Sequence, residues 1–432
     1  MRLLLIAYEF PPSPSPQSLR WAYLARELHL LGHEVHVLTA DLGGETPGLP
    51  VLPEEVRIHR TYPGPVRGML AWLRKRRQRK IDAGVIAGDA APGTGMLAAP
   101  IRPPRNWKQR ISEAVQRIAE YIHYPDVRGE WRLWGRRGLI RVLDSLKVDA
   151  VISSHEPATT IELALLARRR GIRWIADIGD PVLASYTAPR WRKRAARIEH
   201  AMCREADVIT VTTEATANLM QARHGLRPGI LVVPQGYDAR RTPVPLRNVF
   251  EKEQLELLYT GSFYSFRRPD ALLAAVKQVT GVRLTIAAIT VPEIVLQAAQ
   301  EMPERIRLLG FRPHDAILDL QRATDILVNI ANDDMTQIPG KVNEYFGARR
   351  PLLNLGPGSD PVSMEIDRLS RGWNCRNEQA SIAERLEELK VAKSEDRLDA
   401  SLDLSPDRVE AISWSAIAAR VDAAIRQGVS SV

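Results

Sequence analysis

The feature that most constrains this sequence is a rhythm. Short apolar, β-branched runs alternate with stretches of helical spacing, and they do so in two separate series. Leu3 to Ala7 is a continuous apolar run, Ser18 to Leu31 carries apolar residues at helical spacing and closes at Gly32, and Glu34 to Thr39 is a second run. The rhythm returns at Ala150 to Ser153, a helix to Arg169, Trp174 to Ile178, a helix near Trp191 to Glu205, and Val208 to Thr212. A later series holds Leu255 to Thr260, a helix from Pro269, Val282 to Ile289, Arg305 to Leu308, Asp325 to Asn329 and Pro351 to Leu355. Parallel strands need crossover helices, and such crossovers are right-handed. The expected class is α/β, with two doubly wound, Rossmann-like parallel sheets.

Two domains also follow from the 432 residues, because single cores stop growing near ~250–300 residues. Prolines, glycine and charge break the pattern from Pro234 to about Gln254. The boundary is set there, giving residues 1–240 and 241–405, with a helical tail over 406–432. Residues 61–110 resist the scheme: rich in Arg, Gly, Pro and Ala, they read as an insertion with a mobile loop at GVIAGDAAPGTGMLAAP.

The formal net charge of +9 implies an anionic partner: nucleotide, nucleic acid or acidic lipid. Between Arg60 and Arg137, seventeen basic side chains face six acidic ones, and RKRRQRK at Arg74 to Lys80 is the densest cluster. Cys203 and Cys375 are too few for a disulfide framework and too far apart for a zinc cluster. The opening apolar run is shorter than a signal-peptide core, and no stretch reaches the ~18 apolar residues of a membrane span. A cytoplasmic protein is expected, with any membrane contact peripheral.

In open α/β sheets, ligands bind beyond the carboxyl ends of strands. Four such loops carry polar residues. The first, YEFPPSPSPQSLRWA, includes Ser15, Gln17 and Arg20 and leads into a helix N-terminus. The second, ISSHEPATT, places His155 and Glu156 past a strand end, and the third, ADIGDPVL, does so for Asp177 and Asp180. The fourth group comprises YTGSFYSFRRP, with Gly261, Ser262, Arg267 and Arg268, and TQIPGKVNEYFGARRPLLNLG, with Lys341 and Glu344. Gly261 permits close backbone approach, and the basic residues suit a diphosphate. On the residues alone, a proline-stiffened connection stands level with the functional reading of the first loop, a helix start also accounts for the third, and a structural histidine and solvated surface charges are the favoured accounts of the second and fourth.

Read together, these segments resemble the retaining glycosyltransferases of family 4, along almost the whole chain except the basic insertion. The "FPP" loop with GHEVHVLT is similar to that family's N-terminal signature, SSHEPATTIELALLARRRG to its histidine-containing loop, and VVPQGYD to the end of its first domain. YTGSFYSFRRPDALLAAVKQV is similar to its donor-phosphate segment, RLLGFRPHDAI to its base-side loop with Phe311, and IPGKVNEYFGARRPLL to its glutamate-bearing helix.

The resemblance implies a GT-B architecture, two Rossmann-like domains facing across a cleft, with the tail helix returning to the first domain. It implies hexosyl transfer from a UDP- or GDP-sugar to a lipid-linked glycan, with retention and without metal or other cofactor. Glu344 matches the ribose-binding glutamate, Arg268 the diphosphate-binding lysine and His155 the acceptor-side histidine; Lys341 resembles a lysine found in a subset of the family. Catalytic roles then fall to His155, Arg268 and Lys341. The donor side comprises Ser15, Gly261, Ser262, Arg267, Arg268, Phe311, Lys341 and Glu344, and the acceptor side Gln17, Arg20, His155, Glu156 and Asp180. The tryptophan-bearing basic insertion suits an anionic membrane surface. Departures are Thr336, where the family has a second glutamate, Ser262 in place of an arginine, and a Ser-Pro-rich first loop; Asp333-Asp334 reads as a loop. Rival readings are a degenerate non-catalytic subunit, an epimerase-like enzyme, and a nucleic-acid-binding protein, which the scattered aromatics disfavour.

Overall fold

A computed structural model of the chain describes residues 1–82, 123–225, 230–241, 254–263, 267–332 and 338–427. The residues divide into two compact units. The first comprises the described residues of Met1–Ala90, Arg102–Gln235 and Trp414–Val432; the second comprises those of Gly236–Ser413.

The first unit is built on seven parallel strands: β1 (Arg2–Ala7), β2 (Glu34–Ala40), β3 (Arg57–Thr61), β4 (Ala150–His155), β5 (Arg173–Ile178), β6 (Val208–Val211) and β7 (Ile230–Val232). Their spatial order is β3-β2-β1-β4-β5-β6-β7. The chain runs outward from β1 to β3 and then returns to the other side of β1, so the switch point lies between β1 and β4. β1 and β4 are buried almost throughout, as the continuous apolar runs require. Trp131 and Trp174 are fully enclosed in this core. Their indole N–H groups are satisfied by Thr61 Oγ1 at 2.8 Å and Ser153 Oγ at 2.9 Å. The tail helix Trp414–Gln427 packs on the helix Pro16–Leu30, where Trp414 stacks on Tyr23 with ring centres 5.5 Å apart.

The basic insertion differs from the expected loop. β3 ends at Thr61 and a helix occupies Pro65–Asp82, so RKRRQRK lies on a helix. The buried Glu130 carboxylate makes that helix start possible by accepting from Val66 N at 3.0 Å and Arg67 N at 2.7 Å. The GVIAGDAAPGTGMLAAP segment lies outside the described residues, as does the side chain of Lys80.

The second unit has six parallel strands: β8 (Leu255–Thr260), β9 (Val282–Ala287), β10 (Ile306–Leu308), β11 (Ile326–Ile330), β12 (Leu352–Leu355) and β13 (Gly372–Cys375). Their order is β10-β9-β8-β11-β12-β13, which puts its switch point between β8 and β11. A buried amide chain ties the far strands together. Asn329 Nδ2 donates to Asn354 Oδ1 at 2.7 Å, and Asn354 Nδ2 donates to Ser363 Oγ at 2.9 Å. Asp360 caps the following helix, Pro361–Leu369, by accepting from Val362 N and Ser363 N, both at 3.1 Å.

Candidate active site

The second unit gathers its candidate residues at the carboxyl end of β8. Gly261, just past the strand, has φ +93°, the left-handed region that favours glycine. The helix Gly340–Gly347 carries Lys341 in its first turn and Glu344 one turn later. Lys341 Nζ donates to Thr260 O at 3.0 Å and lies 3.7 Å from the centre of the Tyr259 ring. Burial, followed by the charge of Arg267, holds its pKa well below the ordinary lysine value. Arg267 is itself buried, donating to Asn332 Oδ1 at 2.9 Å and Ser262 O at 3.3 Å. Ser262 thus contributes a carbonyl that also accepts from Tyr259 OH at 3.2 Å. Two cations converge on one strand end, next to the N-terminus of a helix. An anionic ligand would relieve their mutual repulsion.

Glu344 is half-buried, and burial pushes its pKa up against the opposing influences of His314 and Gln321. His314 Nε2 lies 3.6 Å from Glu344 Oε1. Gln321, fully enclosed, sits on the same helix as His314, His314–Ala323. Glu344 and Gln321 line a small hollow with Tyr237, Asp238 and Arg322. Arg268 points elsewhere: its side chain is exposed, and its carbonyl accepts from Asn377 Nδ2 at 3.1 Å. Of the adjacent arginines, Arg267 is the one turned inward toward Lys341. Phe311 is 44% exposed, three residues before His314. Thr336 and Asp333-Asp334 lie outside the described residues.

In the first unit, the loops after β1, β4 and β5 meet at the switch point. Gln17 Nε2 donates to His155 O at 2.8 Å, and a Cβ on Gly179 would lie 2.6 Å from that same nitrogen. His155 is 4% exposed, its Nδ1 has no hydrogen-bond partner, and burial lowers its pKa, so the ring is neutral at neutral pH. Glu156 accepts from Arg128 at 3.1 Å and from Tyr186 OH at 3.0 Å, and Tyr186 OH reaches Asp180 Oδ2 at 3.3 Å. Burial raises the Glu156 pKa, but the Arg128 charge and the hydrogen bonds from Arg128 and Tyr186 outweigh it and hold the carboxyl below its usual range. The switch point therefore brings together Gln17, His155, Glu156 and Asp180.

Two residues of the first loop have internal work. Ser15 caps the helix Pro16–Leu30, its hydroxyl accepting from Ser18 N at 3.2 Å. Arg20 is completely enclosed: it pairs with Asp177 at 2.8 Å and donates to Val233 O and Pro234 O, each at 2.9 Å. Asp177 also accepts from Trp21 Nε1 at 3.1 Å and Thr210 Oγ1 at 2.7 Å. An arginine saturated in this way stitches the sheet and has no donor turned toward a ligand. Sequence reasoning missed Tyr259, Asn332, Gln321, Arg128 and Tyr186. Tyr259 and His314 had a signal, as members of the YTGSFYSFRRP and RLLGFRPHDAI segments.

Two parallel sheets, of seven and six strands, each with polar side chains gathered at its switch point, define the GT-B fold. Residues 102–236 match the model of the glycosyl transferase 4-like domain. The chain thus has the GT-B fold, and about a third of it resembles a glycosyl transferase 4-like domain. Solved structures agree on the fold. Sucrose-phosphate synthase from Thermosynechococcus elongatus is similar at TM-score 0.65 and 14% identity, covering 100% of both chains. WaaG, a glycosyltransferase involved in lipopolysaccharide biosynthesis, is similar at TM-score 0.60 and 13% identity, over 98% of this chain and 99% of that one. The E. coli trehalose-6-phosphate protein bound with UDP-2-fluoro glucose is similar at TM-score 0.55 and 12% identity, over 99% of each chain. No curated protein matches by sequence.

Proposed function

We propose that this protein is a glycosyltransferase that moves a hexose from a UDP- or GDP-sugar onto a glycan acceptor, with retention and without a metal ion. The observation that carries the reading is the pairing of Lys341 and Arg267 at the end of β8, with Glu344 one helical turn beyond Lys341. A diphosphate placed there meets two cations and a helix N-terminus, which stabilise the charge that develops as the sugar C1–O bond breaks. Glu344 accepts hydrogen bonds from the donor ribose. The acceptor hydroxyl attacks C1 from the leaving-group face and its proton passes to the departing phosphate oxygen. Neutral His155 stands on the acceptor side.

The reading extends to a lipid-linked acceptor at an anionic membrane surface. The helix Pro65–Asp82 supports this, because Met69, Trp72 and Leu73 are about half exposed beside the basic cluster.

The test is a thermal-shift screen of the full chain against UDP, GDP, ADP, NAD and their sugar conjugates, because a ligand at about a hundred times its Kd stabilises by ~2.7 kcal/mol. A selective shift with one nucleoside diphosphate is expected, and it names the base. No shift with any nucleotide overturns the reading. The anomeric configuration of the sugar released on slow donor hydrolysis, followed by NMR, tests retention.

A further inference from the structure

Tyr186 is 64% exposed, yet its hydroxyl is engaged by two carboxylates, Glu156 at 3.0 Å and Asp180 at 3.3 Å. A phenol has one proton, so it donates to one carboxylate at a time. The loop that carries it is anchored at several points. Thr212 Oγ1 donates to Gly179 O at 2.9 Å, and Ala184 N donates to Thr187 Oγ1 at 2.9 Å. Between these, both backbone groups of Leu183 are held by one ion pair: Leu183 N donates to Glu199 Oε2 at 2.8 Å, and Arg223 donates to Leu183 O at 2.8 Å and to Glu199 Oε1 at 3.1 Å. His224 Nε2 completes the set, 3.0 Å from Glu199 Oε1.

Glu199 is completely enclosed. A buried ion pair is a weak source of stability compared with apolar side chains of the same volume. What this one supplies is position, since it fixes the N–H and C=O of a single loop residue three places before Tyr186. A solvent-facing aromatic held this firmly presents a ring face and a hydroxyl to whatever reaches the carboxylates. Next to it, His155 Nδ1 is a buried ring nitrogen without a hydrogen-bond partner, close enough to Glu156 and Arg128 to feel both charges.

We infer that Tyr186, seated by the Glu199–Arg223 clamp, is the acceptor-side specificity residue, and that the subsite it forms with Glu156 and Asp180 takes an uncharged sugar ring; this rests on the transferase reading. Carboxylates accept hydrogen bonds from ring hydroxyls, and the exposed phenol face packs on the sugar's C–H face. Charge excludes acidic rings. Arg128 donates to Asp126 and Glu156 at 2.6 and 3.1 Å, so among the described residues one guanidinium stands with three carboxylates, Asp126, Glu156 and Asp180. A phosphate or uronate carboxylate on the acceptor ring meets like charge.

The experiment is saturation-transfer NMR on the full chain with UDP or GDP present, using methyl glucoside, galactoside, mannoside and rhamnoside alongside glucose 6-phosphate and glucuronate. At least one neutral glycoside binds wild type, at least tenfold more tightly than either acidic sugar. Tyr186→Ala, an exposed position where folding is undisturbed, weakens that binding at least tenfold, and Glu199→Gln weakens it as well, while both variants keep the wild-type nucleotide shift. Glycoside binding that Tyr186→Ala leaves unchanged, tighter binding of an acidic sugar, or no glycoside binding in a protein that binds nucleotide overturns the inference and leaves the transferase reading standing. A protein that binds neither class sinks both.

Discussion

The ammonium of Lys341 lies 3.7 Å from the centre of the Tyr259 ring while it donates to Thr260 O at 3.0 Å. Ring quadrupole and carbonyl both favour the charged form, yet burial and Arg267 depress the pKa well below the ordinary value. The folded chain thus binds fewer protons here than the unfolded chain between the depressed pKa and the ordinary one, so this group makes stability rise with pH across that window. A bound diphosphate needs the charged form, so nucleotide affinity falls as pH rises through the depressed pKa. Calorimetric titration of the cognate nucleoside diphosphate from about pH 6 to about pH 10, just below the ordinary lysine value, should show this alkaline loss. Lys341→Met should weaken binding at least tenfold, ~1.4 kcal/mol, and abolish the slope. A slope that persists in Lys341→Met assigns it to another group.

Glu344 carries the opposite sign. Its pKa is raised by burial against His314 and Gln321, so its ionised form is disfavoured in the fold and its stabilising contribution is lost as pH rises from the unfolded value through the folded one. Glu344→Gln keeps the shape and removes the charge. Its melting temperature at neutral pH should equal or exceed that of wild type, while nucleoside-diphosphate affinity drops about tenfold, ~1.4 kcal/mol. Unchanged affinity in the folded variant removes Glu344 from the donor site.

Arg20 and Asp177 should behave as a structural pair. Arg20→Met leaves Asp177 as a buried carboxylate without its cation, a change that costs about 3–5 kcal/mol. Denaturant unfolding should show that loss in the first unit only. The second unit's nucleotide shift, read below the new transition, stays at its wild-type value. A loss below 1 kcal/mol, roughly the surface-pair range, contradicts the buried-pair account.

The sheets were legible because their strands are buried on both faces and so read as apolar runs; β1, β4, β8 and β12 are visible in LLLIA, AVISS, LELLYT and LLNL. β3 and β13 were not, because RIHRT and GWNC are partly exposed edge strands without an apolar run. The helix Pro65–Asp82 was hidden because its N-terminal carboxylate comes from Glu130, far along the chain. At the candidate site, strand-end position pointed to Lys341, Glu344, His155 and Glu156, which the fold places at or past the ends of its strands. It could not separate Arg267 from Arg268, since inward and outward rotation of neighbouring residues is decided by Asn332. Nor could it distinguish Arg20 from a ligand-facing arginine, because Asp177 and the Val233 and Pro234 carbonyls meet it only in the fold.

The helix Pro65–Asp82 presents exposed Trp72, Met69 and Leu73 beside exposed Arg76 and Arg79, with Arg76 lying over the Trp72 ring at 5.3 Å. Apolar side chains of this kind enter the headgroup boundary, and each nearby Lys or Arg contributes about 1 kcal/mol at an anionic surface. Vesicle co-sedimentation should therefore recover the protein far better with phosphatidylglycerol-containing liposomes than with pure phosphatidylcholine, and raising the salt should lower that recovery to the part held by the apolar side chains. Arg76→Glu combined with Arg79→Glu should reduce recovery at least tenfold, ~1.4 kcal/mol, and Trp72→Ala should reduce it at high salt, where the apolar contribution dominates. Equal recovery on neutral and anionic vesicles would show that the basic face of this helix has no part in binding membranes, and would turn its charge toward a soluble anionic partner.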